Sequence, residues 1–261
     1  MGAVKAFGYP EFFVPDHRLS RPLPEGSLVD ADSHPSLLAA SRDFVRRIVE
    51  RYRERDSVIG WQVEHEAVDP LGMEHSWRLG FDFVAQEVAA VRKADPSRPV
   101  IMNGFLPTSL PVHLQQWWRT RDQGDSLVVA RRLADMVGID YYPRHALAGG
   151  RGWAVYLSGS LRRWPPAAAR AGSHRGPLMI TEGQAEPWEA VTVPPSPKDR
   201  GMYSCLPDDL IGNYSHCLSW ARRTGAQLDA YFFWGAEYWI LRKGRGDSSY
   251  LDAFARVLNC A

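Results

Sequence analysis

The sequence predicts an α/β fold. It reads as a (β/α) barrel of the TIM type, incomplete, with about six βα units in one domain over residues 1–261. Three observations point there. Apolar runs with strand character alternate with stretches of helical periodicity, the pattern of a parallel sheet with helical crossovers. Polar residues cluster just past the C-terminal ends of those strands: Glu66, Asn103, Asp140 with Tyr142, Glu182 with Gln184, and Trp234 with Glu237. Barrels of this kind place their chemistry at that edge. No strand-to-helix turn carries a G-x-G-x-x-G, and no Walker lysine is present, which disfavours nucleotide-binding folds.

The elements follow in order. "VKAFGY" at 4–9 is a short strand candidate, and the Pro- and Ser-rich 18–35 reads as loop. Ser33 is expected to cap the next helix, where Leu37, Leu38, Phe44, Val45, Ile48, Val49 and Tyr52 recur at helical spacing. "SVIGWQVE" at 57–64 alternates like a strand. A helix over 81–93 presents Phe81, Val84, Val88 and Val91, and "DPSRP" ends it before the strand "VIMNGF" at 100–105. A helix near 125–135 leads to "MVGIDYY" at 136–142, and a helix near 153–164 leads to "LMITEGQ" at 178–184. A proline-rich loop covers 191–208. The helix "DLIGNYSHCLSWARRTG" feeds "AYFFWG" at 230–235, and a helix over 249–258 closes the chain.

Composition narrows the function. Of 261 residues 45% are hydrophobic, enough for a sizeable core. Lysine plus arginine is 31 and aspartate plus glutamate 30, a net charge of +1 that gives no reason to expect nucleic acid or an anionic membrane as partner. No apolar run reaches the roughly 20 residues of a membrane span. The start, "MGAVKAFGYPEFF", lacks the regions of a signal peptide, so a cytoplasmic location is expected of the sequence as it stands. Cys205, Cys217 and Cys260 match no metal spacing and read as free thiols, with one surface pair as the alternative. Ten Trp, ten Tyr and ten Phe suit a large aromatic core and a sugar-binding cleft equally well.

Two carboxylates from different strands across a barrel mouth are what glycoside hydrolysis needs: one protonates the leaving oxygen, the other attacks the anomeric carbon. The acid must have a raised pKa while the nucleophile stays ionised. "GWQVEHE", "ADMVGIDYYP", "MITEGQAEPW" and "AYFFWGAEYW" stand in that order along the chain. Together they resemble the fourth, sixth, seventh and eighth strands of clan A glycoside hydrolases, retaining enzymes with (β/α)8 barrels. The resemblance covers nearly the whole chain. It implies Glu66 as acid/base, with His65 where the clan has asparagine, and Glu182 as nucleophile. Tyr142, or alternatively Tyr141, would hydrogen-bond the nucleophile, and Trp234 would floor the sugar site. A spacing of roughly 5 to 5.5 Å between the two carboxyl groups would follow from the retaining mechanism. No metal or cofactor is implied, and the partner is a β-linked carbohydrate.

Asn103, Gln184, Trp188 and Glu11 are further candidates for sugar contact, and Trp117 with Trp118 for a sugar platform. Glu64 shares strand parity with Glu66 and is expected deeper, ion-paired or behind the acid, and it rivals Glu66 for the acid role. Two other functions fit the same residues. A metal-dependent barrel isomerase or lyase would use Glu66, Glu182, Asp140 and His65 as ligands. A non-catalytic degenerate barrel would bind carbohydrate without cleaving it. One strand precedes the acid/base strand where a complete barrel has three. That predicts strands equivalent to the third through eighth, and open edges that demand cover. The two edge strands closing into a smaller ring, a homo-oligomer docking across the gap, or further chain beyond this sequence would supply it.

Overall fold

The computed structural model of the protein describes residues 23–24, 27–66, 68–69, 78–148, 154–158, 176–187 and 203–260. Five strands form the main sheet: β2 (Trp61–Gln62), β4 (Val100–Phe105), β5 (Met136–Tyr141), β8 (Leu178–Gln184) and β9 (Leu228–Trp234), paired in that order. β2 runs parallel to β4 and β8 to β9. Hydrogen bonds from Asp135 N–H to Val100 O and from Leu106 N–H to Asp140 O advance together along both chains, so β4 and β5 are parallel too. Each strand therefore pairs with the next member in sequence, and the order never reverses. A doubly wound sheet reverses at a switch point; a singly wound one keeps its crossovers on one face, as a (β/α) barrel does. The fold class is α/β with five consecutive barrel-type strands. The sixth candidate, "VKAFGY", lies outside the described residues.

The chain divides into two compact units along β5. The first holds the described residues up to Phe105, with Leu114–Gly138 and 176–177. In it α1 (Pro35–Tyr52) packs on α2 (Phe81–Ala94), burying Leu37, Leu38 and Val49 with Phe83, Val84, Val88 and Val91. Proline at the first helical position suits a start that lacks a side-chain cap. Ser33 does not cap: its hydroxyl and N–H both bond the Asp30 carboxylate. Phe44, Ile48 and Tyr52, expected on the buried face of α1, are largely exposed. The loop expected at 18–35 contains β1 (Leu28–Val29), paired in parallel with β3 (Arg78–Leu79) apart from the main sheet.

The strand expected at 57–64 shrinks to Trp61–Gln62. Arg98 takes the carbonyls of Val58 and Arg55, holding 57–60 as loop with Ile59 exposed. Trp61 donates its indole N–H to Asp95, 2.9 Å away, which also pairs with Arg98. The Ser97 hydrogen bonds, and after them those of Trp61 and Arg98, hold the Asp95 carboxyl well below the usual range. α4 (Ser126–Leu133) lies against β4 so tightly that a Cβ on Gly104 would meet Leu127 N at 2.7 Å.

The second unit holds Leu106–His113 and the described residues from Ile139 to 158 and from Leu178 onward. The helix expected near 153–164 is instead, where described, a strand. β7 (Ala154–Ser158) folds back antiparallel on β6 (Arg144–Ala148), and the β-branched and aromatic Val155 and Tyr156 favour that extended backbone. α5 (Pro207–Thr224) starts where Asp209 accepts the Leu206 N–H and stops at left-handed Gly225. It packs with α7 (Ser249–Cys260). Ala185, Leu210, Trp239, Tyr250 and Val257 form the core there. Cys205 and Cys217 are buried free thiols, against the surface-pair alternative. Two helices were not foreseen: α3 (Leu110–Thr120) and α6 (Ala236–Gly244).

Candidate active site

In the first unit the chain leaves β2 with the Val63 N–H on Ile101 O, then turns sharply. Glu64 and Glu66 have φ of 61° and 43°, left-handed backbone that side chains rarely adopt. Such residues cluster at functional sites because surrounding bonds must hold them there. The bonds here are specific. Glu66 N–H donates to Asn103 Oδ1 at 3.2 Å, and Asp69 N–H donates to Glu66 O at 3.0 Å. Asn103 then uses its Nδ2 to donate to His65 Nδ1 at 2.8 Å. Since the Asn103 oxygen is fixed by Glu66 N–H, His65 Nδ1 must accept, which requires the neutral imidazole protonated at Nε2. In this arrangement the imidazole beside Glu66 is neutral. Glu66 itself is only 6% exposed. It lines a narrow crevice with Glu64, Val63, Met102 and Asn103.

Because the strand stops at Gln62, the expected parity of Glu64 and Glu66 does not hold. Glu64 has another carboxyl among its partners. It shares a hydrogen bond with Glu87 of α2, whose carboxyl is fully buried and accepts the Ser41 hydroxyl. Burial first, then the charge of Glu64, pushes Glu87 well above the usual carboxyl range, so Glu87 holds the proton.

In the second unit Glu182 stands on β8, 8% exposed. The Tyr142 hydroxyl, just past β5, donates to its Oε2. Of the two candidate tyrosines, Tyr142 is the one that reaches Glu182. Thr181 donates to buried Asp140 at 2.7 Å. Gln184 is buried, with its side-chain amide directed to Arg144 O at 3.5 Å and its own carbonyl accepting from Asn213. Trp234 ends β9 and is partly exposed, its indole bonded to Glu186. Burial, then the nearby charge of Glu237, raises Glu186 above the usual range against that hydrogen bond. Trp117 and Trp118 on α3 are 58% and 60% exposed, their rings tilted at 57°, with Arg121 stacked 4.0 Å from Trp118. Glu11 and Trp188 lie outside the described residues. Within either unit alone, no three His, Cys, Asp or Glu ligand atoms gather among the described residues.

Sequence reasoning passed over Asp69, Glu87 and Glu186. Glu87 had a signal: it sits at helical spacing on the apolar stripe of Phe83, Val84, Val88 and Val91. Glu186 had one too, four residues after Glu182 in a run that ends in tryptophan. Asp69 had none.

Fold and residues together define a barrel-type α/β scaffold with buried carboxylates at or just past its strand ends. Solved structures to which it is similar include glycoside hydrolases. A β-D-glucuronidase of Dictyoglomus thermophilum is 16% identical with a TM-score of 0.47, over 76% of this chain and 28% of that one. A psychrophilic glycoside hydrolase family 10 endo-β-1,4-xylanase is 15% identical with a TM-score of 0.47, over 78% and 61%. The GH53 catalytic domain of Ignisphaera aggregans is 14% identical with a TM-score of 0.47, over 77% and 54%. The chain thus spans between about a quarter and three-fifths of these proteins. No family model matches the sequence, and no curated protein does.

Proposed function

We propose that the protein is a retaining β-glycoside hydrolase acting on a β-linked oligo- or polysaccharide, with Glu182 as nucleophile and Glu66 as acid/base. The observation that carries this reading is the buried Tyr142 hydroxyl donating to the Glu182 carboxylate. A donor there stabilises the ionised form, which a nucleophile needs. In the first step Glu182 attacks the anomeric carbon while Glu66 gives its proton to the departing oxygen. In the second, Glu66 takes a proton from water, whose oxygen displaces Glu182 from the sugar. Asn103, itself bonded to His65, holds the backbone N–H of Glu66, and Trp234 offers a ring face to the sugar. No metal enters the scheme, so turnover should survive chelation.

The test is a screen of nitrophenyl β-glycosides, soluble β-glucans and mannans, with the Glu182→Gln variant alongside. Turnover with retained anomeric configuration by NMR, cut by several orders of magnitude in the variant, is expected. An unchanged rate in the variant removes Glu182 from the role, and an inverted product removes the double displacement.

A further inference from the structure

We propose that Asp69 is the positioning residue of Glu66, a buried carboxyl that clasps the turn bearing Glu66 to the first turn of α4; this rests on the reading of Glu66 as acid/base. Asp69 is 4% exposed and lies three residues beyond Glu66. Its N–H closes the turn onto Glu66 O at 3.0 Å. Its Oδ1 accepts the Ser126 N–H at 2.8 Å, and the Ser126 hydroxyl accepts the Val68 N–H at 3.3 Å. Side chain to backbone and backbone to side chain, the two bonds form a reciprocal clasp between residues 68–69 and Ser126, which is itself buried. Ser126 is also what Gly104 packs against, and the neighbour of Gly104 is Asn103, which holds the Glu66 N–H. The left-handed Glu66 is therefore fixed from both sides by one assembly: Asn103 from β4 and Asp69 through α4.

The charge arrangement suits that role. The groups facing Asp69 are Glu66, the α4 capping residue Asp125 and the neutral Gln116 of α3. Burial, then the charge of Glu66, then that of Asp125, raises Asp69 to about 8. Near neutrality burial and like-charge repulsion keep a proton on the Asp69–Glu66 pair, so Glu66 can carry the proton it must donate. Above that, loss of that proton sets two buried carboxylates against each other in one turn.

The experiment compares parent, Asp69→Ala, Asp69→Asn and Glu66→Gln on the aryl β-glycosides that the parent turns over, from poor to good leaving groups. Circular dichroism and thermal melts report folding. A good leaving group departs without a proton, so loss of the acid role lowers kcat/KM only on poor ones, while loss of the base role in the second step lowers kcat on all. Glu66→Gln should show that pattern. Asp69→Ala should copy it, with kcat/KM at least tenfold down on poor leaving groups and near the parent value on good ones. Asp69→Asn, whose amide oxygen can still accept from Ser126, should keep kcat/KM on poor leaving groups within about threefold at pH 6 and shift the alkaline limb, because the like charge facing Glu66 is gone. If Asp69→Ala does not fold, the Asp69→Asn profile decides, and an alkaline limb identical to the parent overturns the proposal. A folded Asp69→Ala that matches the parent on every glycoside overturns it as well. Should Glu66→Gln match the parent on poor leaving groups, the acid/base assignment itself fails, an outcome distinct from either of those.

Discussion

At the scale of single residues, the site is built from side chains that hold one another rather than from isolated charges. Tyr142 is the clearest case. Replacing it with Phe keeps the ring volume in a buried position and removes one hydrogen bond to a carboxylate. Hydrogen bonds to charged groups are worth about 1.5–3 kcal/mol, so Tyr142→Phe should lower kcat/KM roughly ten- to a hundredfold with the melting temperature little changed. Steady-state kinetics on an aryl glycoside and a thermal melt check this together; an unaltered kcat/KM would mean the hydroxyl does nothing for Glu182. That Glu182 stands on β8, Tyr142 just past β5 and Trp234 at the end of β9 was legible in the sequence because each lies in or beside an apolar run that fixes its place. Asp69 and the role of Asn103 as the bridge between His65 and Glu66 were not, because both depend on contacts between segments far apart in sequence.

At the scale of elements, α4 and β4 meet backbone to backbone, and that contact sets where the Glu66 turn can sit. A Cβ at Gly104 would lie 2.9 Å from Ser126 C as well as 2.7 Å from Leu127 N, and neither atom can move without its helix. Overpacking of this kind costs about 1–3 kcal/mol. Gly104→Ala should therefore lower the melting temperature by several degrees and also depress activity, by displacing Asn103. A melt within one degree of the parent would show that α4 has room to give. The strands 100–105 and 178–184 were readable to the residue because a continuous apolar run in a parallel sheet has few alternatives. β2 was overread because its alternation of Ile59, Trp61 and Val63 continues into backbone that no strand can adopt. β7 was read as part of a helix because a short apolar run such as "AVYLS" carries no period that separates helix from strand.

At the scale of the whole molecule, buried acids give stability a slope in pH. Asp69 is raised to about 8, and Glu87 is raised too. The folded state keeps the Asp69 proton that the unfolded chain gives up near pH 4. Stability from this source is complete below about pH 4 and declines as pH climbs towards 8, by up to about 1.4 kcal/mol per pH unit for one proton. Asp95, held low by Ser97, Trp61 and Arg98, acts oppositely: its contribution is lost as pH falls below the usual carboxyl range. Urea melts across pH 5–8 should show a falling midpoint that Asp69→Asn flattens. A parent midpoint constant over that window would mean Asp69 is ionised throughout. The strand order has a different consequence. Because β2, β4, β5, β8 and β9 pair in the sequence in which they are made, no later segment must thread between earlier ones. A sheet of that kind grows by accretion: a strand and helix fused ahead of β2 or behind β9 would extend it without rewiring any existing connection. The outer strands among the described residues are thus grafting points, from which barrels of other strand numbers can be assembled by splicing.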